Sequence, residues 1–216
     1  MHPFIRNHQY NLIRKEIGLL QRACGTVADP KVVESVRSNM QFKIAEAFPE
    51  TAGAERELLD RASSLNTVPE FTQYLASLEP YRIAFEPGTE QQLKKLFPKI
   101  KKLKLPVLAA VNLREITYLG WTDIAANKLF IVYPLDGRLV GVEGRLTPTN
   151  KKSTCFVCNR HTEVALFTAI TKARPANASP DYYKAIGNYM CMDSQICNSN
   201  VTDLTALEQF LQNVVK

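Results

Sequence analysis

The stretch T-C-F-V-C-N (Thr154 to Asn159) decides how the rest of this chain is read. Two residues separate its cysteines, the spacing of a tight knuckle whose backbone amides turn toward the thiolates. Thirty-two residues on, Cys191 and Cys197 make a second, looser pair. That spacing arises when one cysteine ends a strand or turn and the other sits on the first turn of a helix. A tetrahedral zinc ion needs four soft ligands from at least two chain segments, and Cys155, Cys158, Cys191 and Cys197 supply them. Four protein ligands close the shell, so one zinc ion here is expected to hold a shape and perform no chemistry. A pair of disulfides is the alternative. His161 lies three residues after Cys158, but four thiolates already complete the shell, and it reads as an ordinary polar residue. Cys24 shares a helical stripe with Ile13, Ile17 and Leu20 and reads as a small core residue.

Outward from the cysteines, composition is that of a globular protein: 216 residues, 45% hydrophobic and 22% charged. No stretch approaches the roughly 18 apolar residues of a membrane span. The start, M-H-P-F-I-R-N-H-Q-Y, shows no secretory signal pattern. A cytoplasmic location is expected, and its reducing conditions favour metal over disulfide. Residues 1–80 carry 9 Lys/Arg against 10 Asp/Glu, and residues 81–216 carry 18 against 11. The basic excess therefore belongs to the cysteine-bearing part, even after a zinc-tetrathiolate contributes its own −2. Such a surface suits an acidic protein, nucleic acid or the ribosome.

The first eighty residues read as helices with punctuation. The apolar stripe above runs from about Arg6 to Cys24. Asp29-Pro30 is an N-cap with proline at the first helical position, followed by Val33, Val36, Met40, Ile44 and Ala47. Thr51 opens a third segment with Leu58, Leu59 and Ala62. Thr67 with Glu70 forms a capping box before Phe71, Tyr74, Leu75 and Leu78. The pattern predicts an antiparallel four-helix bundle of helices about ten to eighteen residues long. It is near neutral and reads as scaffold or docking surface.

The segment Pro80–Gly88 marks the boundary between a domain of residues 1–80 and one of residues 81–216. Thr89 with Gln92 caps a further helix ending near Phe97-Pro98. Six lysines follow within eleven residues (Lys94, Lys95, Lys99, Lys101, Lys102, Lys104). They read either as an anion-binding or acidic-partner face, or as a solvated helix end and lysine-blunted edge strand. Lys128–Pro134 and Arg138–Leu146 are predicted strands joined by a hairpin turn at Asp136-Gly137. V-A-L-F-T-A-I (Val164 to Ile170) is a strand, Thr171–Asp181 a polar loop, and a closing helix begins near Asp203. Knuckle, hairpin-like connection, second pair and helix resemble a treble-clef zinc finger. The expected class is α+β: a four-helix bundle, then an α/β domain with a four-cysteine treble-clef-like finger.

Enzyme chemistry finds little support. Two of the three histidines, His2 and His8, stand in the first ten residues. No phosphate-cradling glycine loop and no Gly-x-Ser-x-Gly elbow occurs. A binding protein remains. Phe156 within the knuckle, Tyr189 two residues before Cys191, Lys184, and Phe210 on the closing helix are its candidate partner contacts. For each aromatic, packing within the fold is the alternative.

Four segments carry a family resemblance: H-Q-Y-N-L-I-R (His8 to Arg14), L-G-W-T-D-I-A-A-N-K (Leu119 to Lys128), the knuckle C-F-V-C-N, and Y-M-C-M-D-S-Q-I-C-N (Tyr189 to Asn198). Together, over nearly the whole chain, they resemble the FusB-type elongation factor G-binding proteins. The resemblance implies a helical bundle followed by a domain with a four-cysteine zinc finger. It also implies binding to elongation factor G, chiefly to its C-terminal domains, and release of that factor from ribosomes on which fusidic acid has trapped it. The drug is neither modified nor destroyed. Carried over, the zinc ligands fall on Cys155, Cys158, Cys191 and Cys197, and the contacts on Phe156, Lys184, Tyr189 and Phe210. No membrane partner and no small-molecule substrate are expected, and the chain is expected to act as a monomer. Two further readings are a zinc-dependent ribosomal RNA-binding module working through residues 94–104, and a housekeeping release factor for elongation factor G.

Overall fold

A computed structural model describes residues 1–172, 177, 179 and 182–215. Its contacts divide the chain into two compact units, Met1–Ile83 and Ala84–Lys216. Helices and an antiparallel sheet are both present, in separate units for the most part. Among the described residues no helix is long and apolar enough to cross a membrane.

The first unit holds α1 (Asn7–Thr26), α2 (Pro30–Ala47), α3 (Gly53–Asp60) and α4 (Val68–Leu78). Local chemistry starts these helices. The Asp29 carboxylate accepts from Lys31 N–H at 2.9 Å, with Pro30 opening α2. Glu70 reaches back to accept from Asn66 and Thr67 N–H at 2.7 and 3.0 Å. The third helix starts two residues later than expected and spans only eight, because a 3-10 turn over Arg61–Ser64 takes up the remainder of the predicted stripe. Ile13, Ile17 and Leu20 meet Met40, Ile44, Leu59, Phe71, Tyr74 and Leu78 in one apolar cluster, with Cys24 half-buried against it. Burying each large side chain stabilises by about 1.5–3 kcal/mol.

A buried carboxylate lies beside this cluster. Glu16 lies one helical turn from Ile13 and is buried, and it accepts from Lys43 Nζ on α2 at 3.0 and 3.1 Å. The unit is closed by its own end. Phe4 and Ile5 N–H both donate to the Tyr81 carbonyl at 2.9 Å, and Ile83 N–H donates to Ile5 O. Arg82 caps the closure, its guanidinium 4.1 Å from the Tyr10 ring centroid and bonded to Asn7 Oδ1.

The second unit opens with α5 (Glu90–Leu96), whose Thr89/Gln92 box is formed in both directions. Five strands follow: β1 (Leu119–Asp123), β2 (Lys128–Leu135), β3 (Arg138–Thr154), β4 (His161–Ile170) and β5 (Ala185–Cys191). They pair in the order β1-β2-β3-β4-β5, every neighbour antiparallel. The α/β domain expected here is thus an antiparallel meander with helices at its ends. A meander needs only hairpin connections, whereas parallel strands need long crossovers. Two short helices complete the unit, α6 (Ser194–Asn198) and α7 (Thr205–Val215).

The continuous apolar run of β2 is explained by burial on both faces. Leu129, Ile131, Tyr133 and Leu135 face one cluster with Phe167, Leu207, Phe210, Leu211 and Val214. Phe130 and Val132 face another with Leu93 and Phe97. There Phe97, Trp121 and Phe130 meet with ring centroids 5.1–5.7 Å apart. The hairpin turn has positive φ at both Asp136 (50°) and Gly137 (77°), the primed geometry that follows the strand twist.

The second strand of that hairpin was expected to end at Leu146 but continues to Thr154. Its register shifts between Pro148 and Lys151, with Asn150 at φ 51°. The bulge passes an unpaired stretch while the strand runs on into the knuckle. The lysine-rich stretch forms no edge strand; after α5 it runs through turns tied down by the half-buried Ile100, Leu103 and Leu105. The polar loop expected over Thr171–Asp181 falls largely outside the described residues.

Candidate metal centre

Four chain positions converge at the end of the sheet. Cys155 and Cys158 follow β3, Cys191 ends β5, and Cys197 lies on α6. All four are buried, none is in a disulfide, and their sulfurs lie within 4.8 Å of one another. Cys155 and Cys197 Sγ are 3.8 Å apart, and Cys158 and Cys191 Sγ 3.5 Å. Sulfurs about 2.3 Å from a central zinc stand roughly 3.8 Å from each other at tetrahedral angles, so the set fits that ion. His161 is exposed at the start of β4 and is not part of the cluster.

Backbone bonds shape the knuckle. Asn159 N–H donates to Cys155 O at 2.9 Å, and the positive φ of Asn159 (54°) then turns the chain back so that Cys155 N–H donates to Arg160 O at 3.0 Å. Phe156 N–H donates to Tyr189 O at 2.8 Å, and Cys191 N–H donates to Cys155 Sγ at 3.4 Å, stitching knuckle to β5. On the other side, the Asp193 carboxylate caps α6 by accepting from Gln195 and Ile196 N–H at 2.7 and 3.4 Å. Cys197 is thereby set on the first turn of a helix, as its spacing from Cys191 predicts.

Without a cation the four thiols cannot all ionise. Hydrogen bonds from Cys158, Cys191 and Cys197 hold Cys155 far below the ordinary thiol range. Hydrogen bonding to Cys155 first, and burial after it, push Cys197 and Cys191 far above it. A bound divalent cation removes this conflict by neutralising thiolate charge, which is how metal binding becomes folding energy.

Residues outside the predicted set hold the centre in place. Asn198, beside Cys197 and only 2% exposed, accepts from Thr117 and Tyr118 N–H at 2.7 and 3.1 Å. Its amide donates to Tyr118 O at 3.0 Å. One side chain thus ties the cysteine-bearing helix to the start of β1, eighty residues earlier. A Cβ on Gly120 would meet Ser194 Oγ at 2.5 Å and Tyr118 Cε2 at 2.7 Å, so β1 and α6 approach too closely for any side chain there. Both residues fall within motifs quoted above, L-G-W-T and D-S-Q-I-C-N; Asp-Ser before a short apolar turn is a helix-start signal.

The candidate contacts are placed differently from one another. Tyr189 is 47% exposed on the outer face of β5, opposite Leu166 of β4. Lys184 is exposed just before β5. Phe156 is half-buried, and its ring lies 5.1 Å from that of Phe210. Phe210 is only 3% exposed and packs in turn on Phe167 at 5.6 Å. It belongs to the core and supports Phe156 from beneath.

Comparisons with known proteins agree with this geometry. Residues 4–86 match the family model described as elongation factor G-binding protein, N-terminal. Residues 98–213 match that of the FBP C-terminal treble-clef zinc-finger. No curated protein matches the chain. A solved structure of the fusidic acid resistance protein FusC is similar over 99% of this chain and 98% of its own, at 27% identity and a TM-score of 0.82. Both halves of the chain and their order, with the four-cysteine centre in the second, place it in the FusB-type elongation factor G-binding family.

Proposed function

We propose that this protein binds translation elongation factor G and promotes its departure from ribosomes on which fusidic acid has trapped it. The action is target protection without catalysis, leaving the drug intact. The observation that carries this reading is the match of both units, in order, to the two halves of that family. The likeness to a fusidic acid resistance protein over nearly the full length supports it.

In this reading one zinc ion is held by Cys155, Cys158, Cys191 and Cys197 and freezes the finger in its binding shape. The surface beside it meets the C-terminal domains of the factor. Tyr189 and Lys184 contact directly, Phe156 contacts across its open side, and Phe210 contributes by backing Phe156. Residues 1–80 form a four-helix bundle that serves as scaffold, and residues 81–216 form the binding domain. The protein works as a cytoplasmic monomer with no membrane or small-molecule partner.

The mechanism is a population shift. Fusidic acid holds the factor in a ribosome-bound conformation; a protein that prefers a released or distorted conformer favours its departure. Equal affinity for both conformers would shift nothing. The test is titration of the zinc-loaded and the chelated protein into purified elongation factor G, paired with a turnover assay on drug-stalled ribosomes. Tight one-to-one binding lost on chelation, with turnover restored and drug recovered unchanged, is expected. Recovery that depends on altered drug refutes the reading, whereas factor binding with no effect on drug-stalled turnover favours the housekeeping role.

A second reading rests on the lysines of residues 94–104. All six are exposed, and only Lys94 has an ion-pair partner, Glu90, among the described residues. They suit phosphate, and a ribosomal RNA contact through them predicts binding that falls steeply with salt.

A further inference from the structure

One buried polar group near the cysteines stands outside the hydrogen bonds that hold the centre. Tyr118 precedes β1, is 0% exposed, and packs in the same apolar cluster as the four cysteines. Among the described residues its hydroxyl has no hydrogen-bond partner. Its backbone is gripped on both sides by Asn198, the residue after Cys197, so ring and sulfur are held in fixed relation. We propose that Tyr118 is a positioning residue of the metal centre, its phenol O–H donating to the Cys197 thiolate once that thiolate is bound to zinc.

A zinc-tetrathiolate carries a formal −2, and in an apolar core that charge needs donors aimed at the sulfurs. Cys191 N–H serves Cys155 in this way. The neighbours acting on the Tyr118 hydroxyl are sulfurs, Cys197 first and then Cys155 and Cys191. An orphan hydroxyl in an apolar core is costly, and replacing it with carbon would be neutral or favourable. A hydroxyl facing a metal-bound thiolate has the opposite value. The same atom therefore predicts opposite outcomes under the two accounts.

This inference rests on the zinc reading, and the experiment separates the two. Full-length wild type, Tyr118→Phe and Tyr133→Phe are loaded with Zn²⁺ or Co²⁺. Tyr133 is the control, a second buried phenol of the same core that donates to Glu208 Oε1 at 2.5 Å. Zinc affinity is read by competition with a chromophoric chelator, and the thiolate-to-cobalt charge-transfer band by absorption. Expected for Tyr118→Phe is a loss of roughly 10-fold in zinc affinity, the scale of lost outer-shell partners. Its cobalt band should move to longer wavelength, because a sulfur relieved of its donor gives up charge more readily. Tyr133→Phe should leave the band in place. Unchanged affinity and band in Tyr118→Phe, with apo and loaded protein both as stable as wild type or more so, overturn the inference and leave the zinc reading standing. Wild type that takes up neither metal overturns both.

Discussion

Replacing Asn198 by alanine should unfasten the cysteine-bearing helix from the sheet. The side chain is 2% exposed and makes three short bonds, two accepted from Thr117 and Tyr118 N–H and one donated to Tyr118 O. Alanine leaves two buried amides and a buried carbonyl without those partners, at about 1–3 kcal/mol for each group stranded. Neighbouring losses do not add fully, so about 3–5 kcal/mol is expected, a large part of the roughly 5–15 kcal/mol by which a domain is stable. The assay is urea unfolding of the zinc-loaded chain followed by tryptophan fluorescence. Trp121 is the only tryptophan and lies on β1, three residues from the clamp, so it reports on this unit alone. Asn198→Asp keeps the oxygen that accepts both bonds but turns its second carboxylate oxygen toward the Tyr118 carbonyl and buries a charge, so it should do no better than alanine. The control, Thr122→Ala on the exposed side of β1, should cost under about 0.5 kcal/mol. A loss in Asn198→Ala under about 1 kcal/mol, with the slope in urea unchanged, would refute the clamp.

Three other outcomes are expected. Tyr189→Ala should weaken binding to elongation factor G by at least 2 kcal/mol, roughly 30-fold, at unchanged urea midpoint; Phe210→Ala should instead cost about 3–5 kcal/mol of fold stability, and a Phe210→Ala protein as stable as wild type would place that ring outside the core. Raising salt from 50 to 200 mM should weaken factor binding only modestly, and a loss approaching 1,000-fold, abolished by neutralising Lys99, Lys101, Lys102 and Lys104, would favour the phosphate-contact reading. Bonds from Asn66 and Thr67 N–H hold the Glu70 carboxyl below the ordinary carboxylate range, so its contribution is present at neutral pH and is lost as pH falls through the folded value; Glu70→Gln should flatten the acid limb of thermal stability for the first unit, and an unaltered limb would remove Glu70 from that role.

Much of the molecule was legible because its signals are local. A carboxylate two residues before an amide, a threonine three before a glutamate or glutamine, and Asp-Gly between two apolar runs each act within one turn of chain. The caps of α2, α4 and α5 and the β2–β3 hairpin follow from them. The spacing within each cysteine pair is also a local matter, since a knuckle and a helix's first turn are short. By contrast β1 and β5 carry few cues of their own: L-G-W-T-D and A-I-G-N-Y-M-C each hold a glycine and little alternation. They are strands because β2 and β4 present an edge to each.

By itself the sequence determined the starts of α1, α2 and α4, the central hairpin and the four converging thiols. Only the tertiary structure decided that β3 runs past its expected end into the knuckle, that Phe210 backs Phe156 from within the core, and that Asn198 and Gly120 let α6 lie against β1. The reason is range. Capping and turn energies depend on residues three or four apart, whereas an asparagine bonded to a backbone eighty residues away has no counterpart in any window of sequence, and its partner exists only once the sheet has formed.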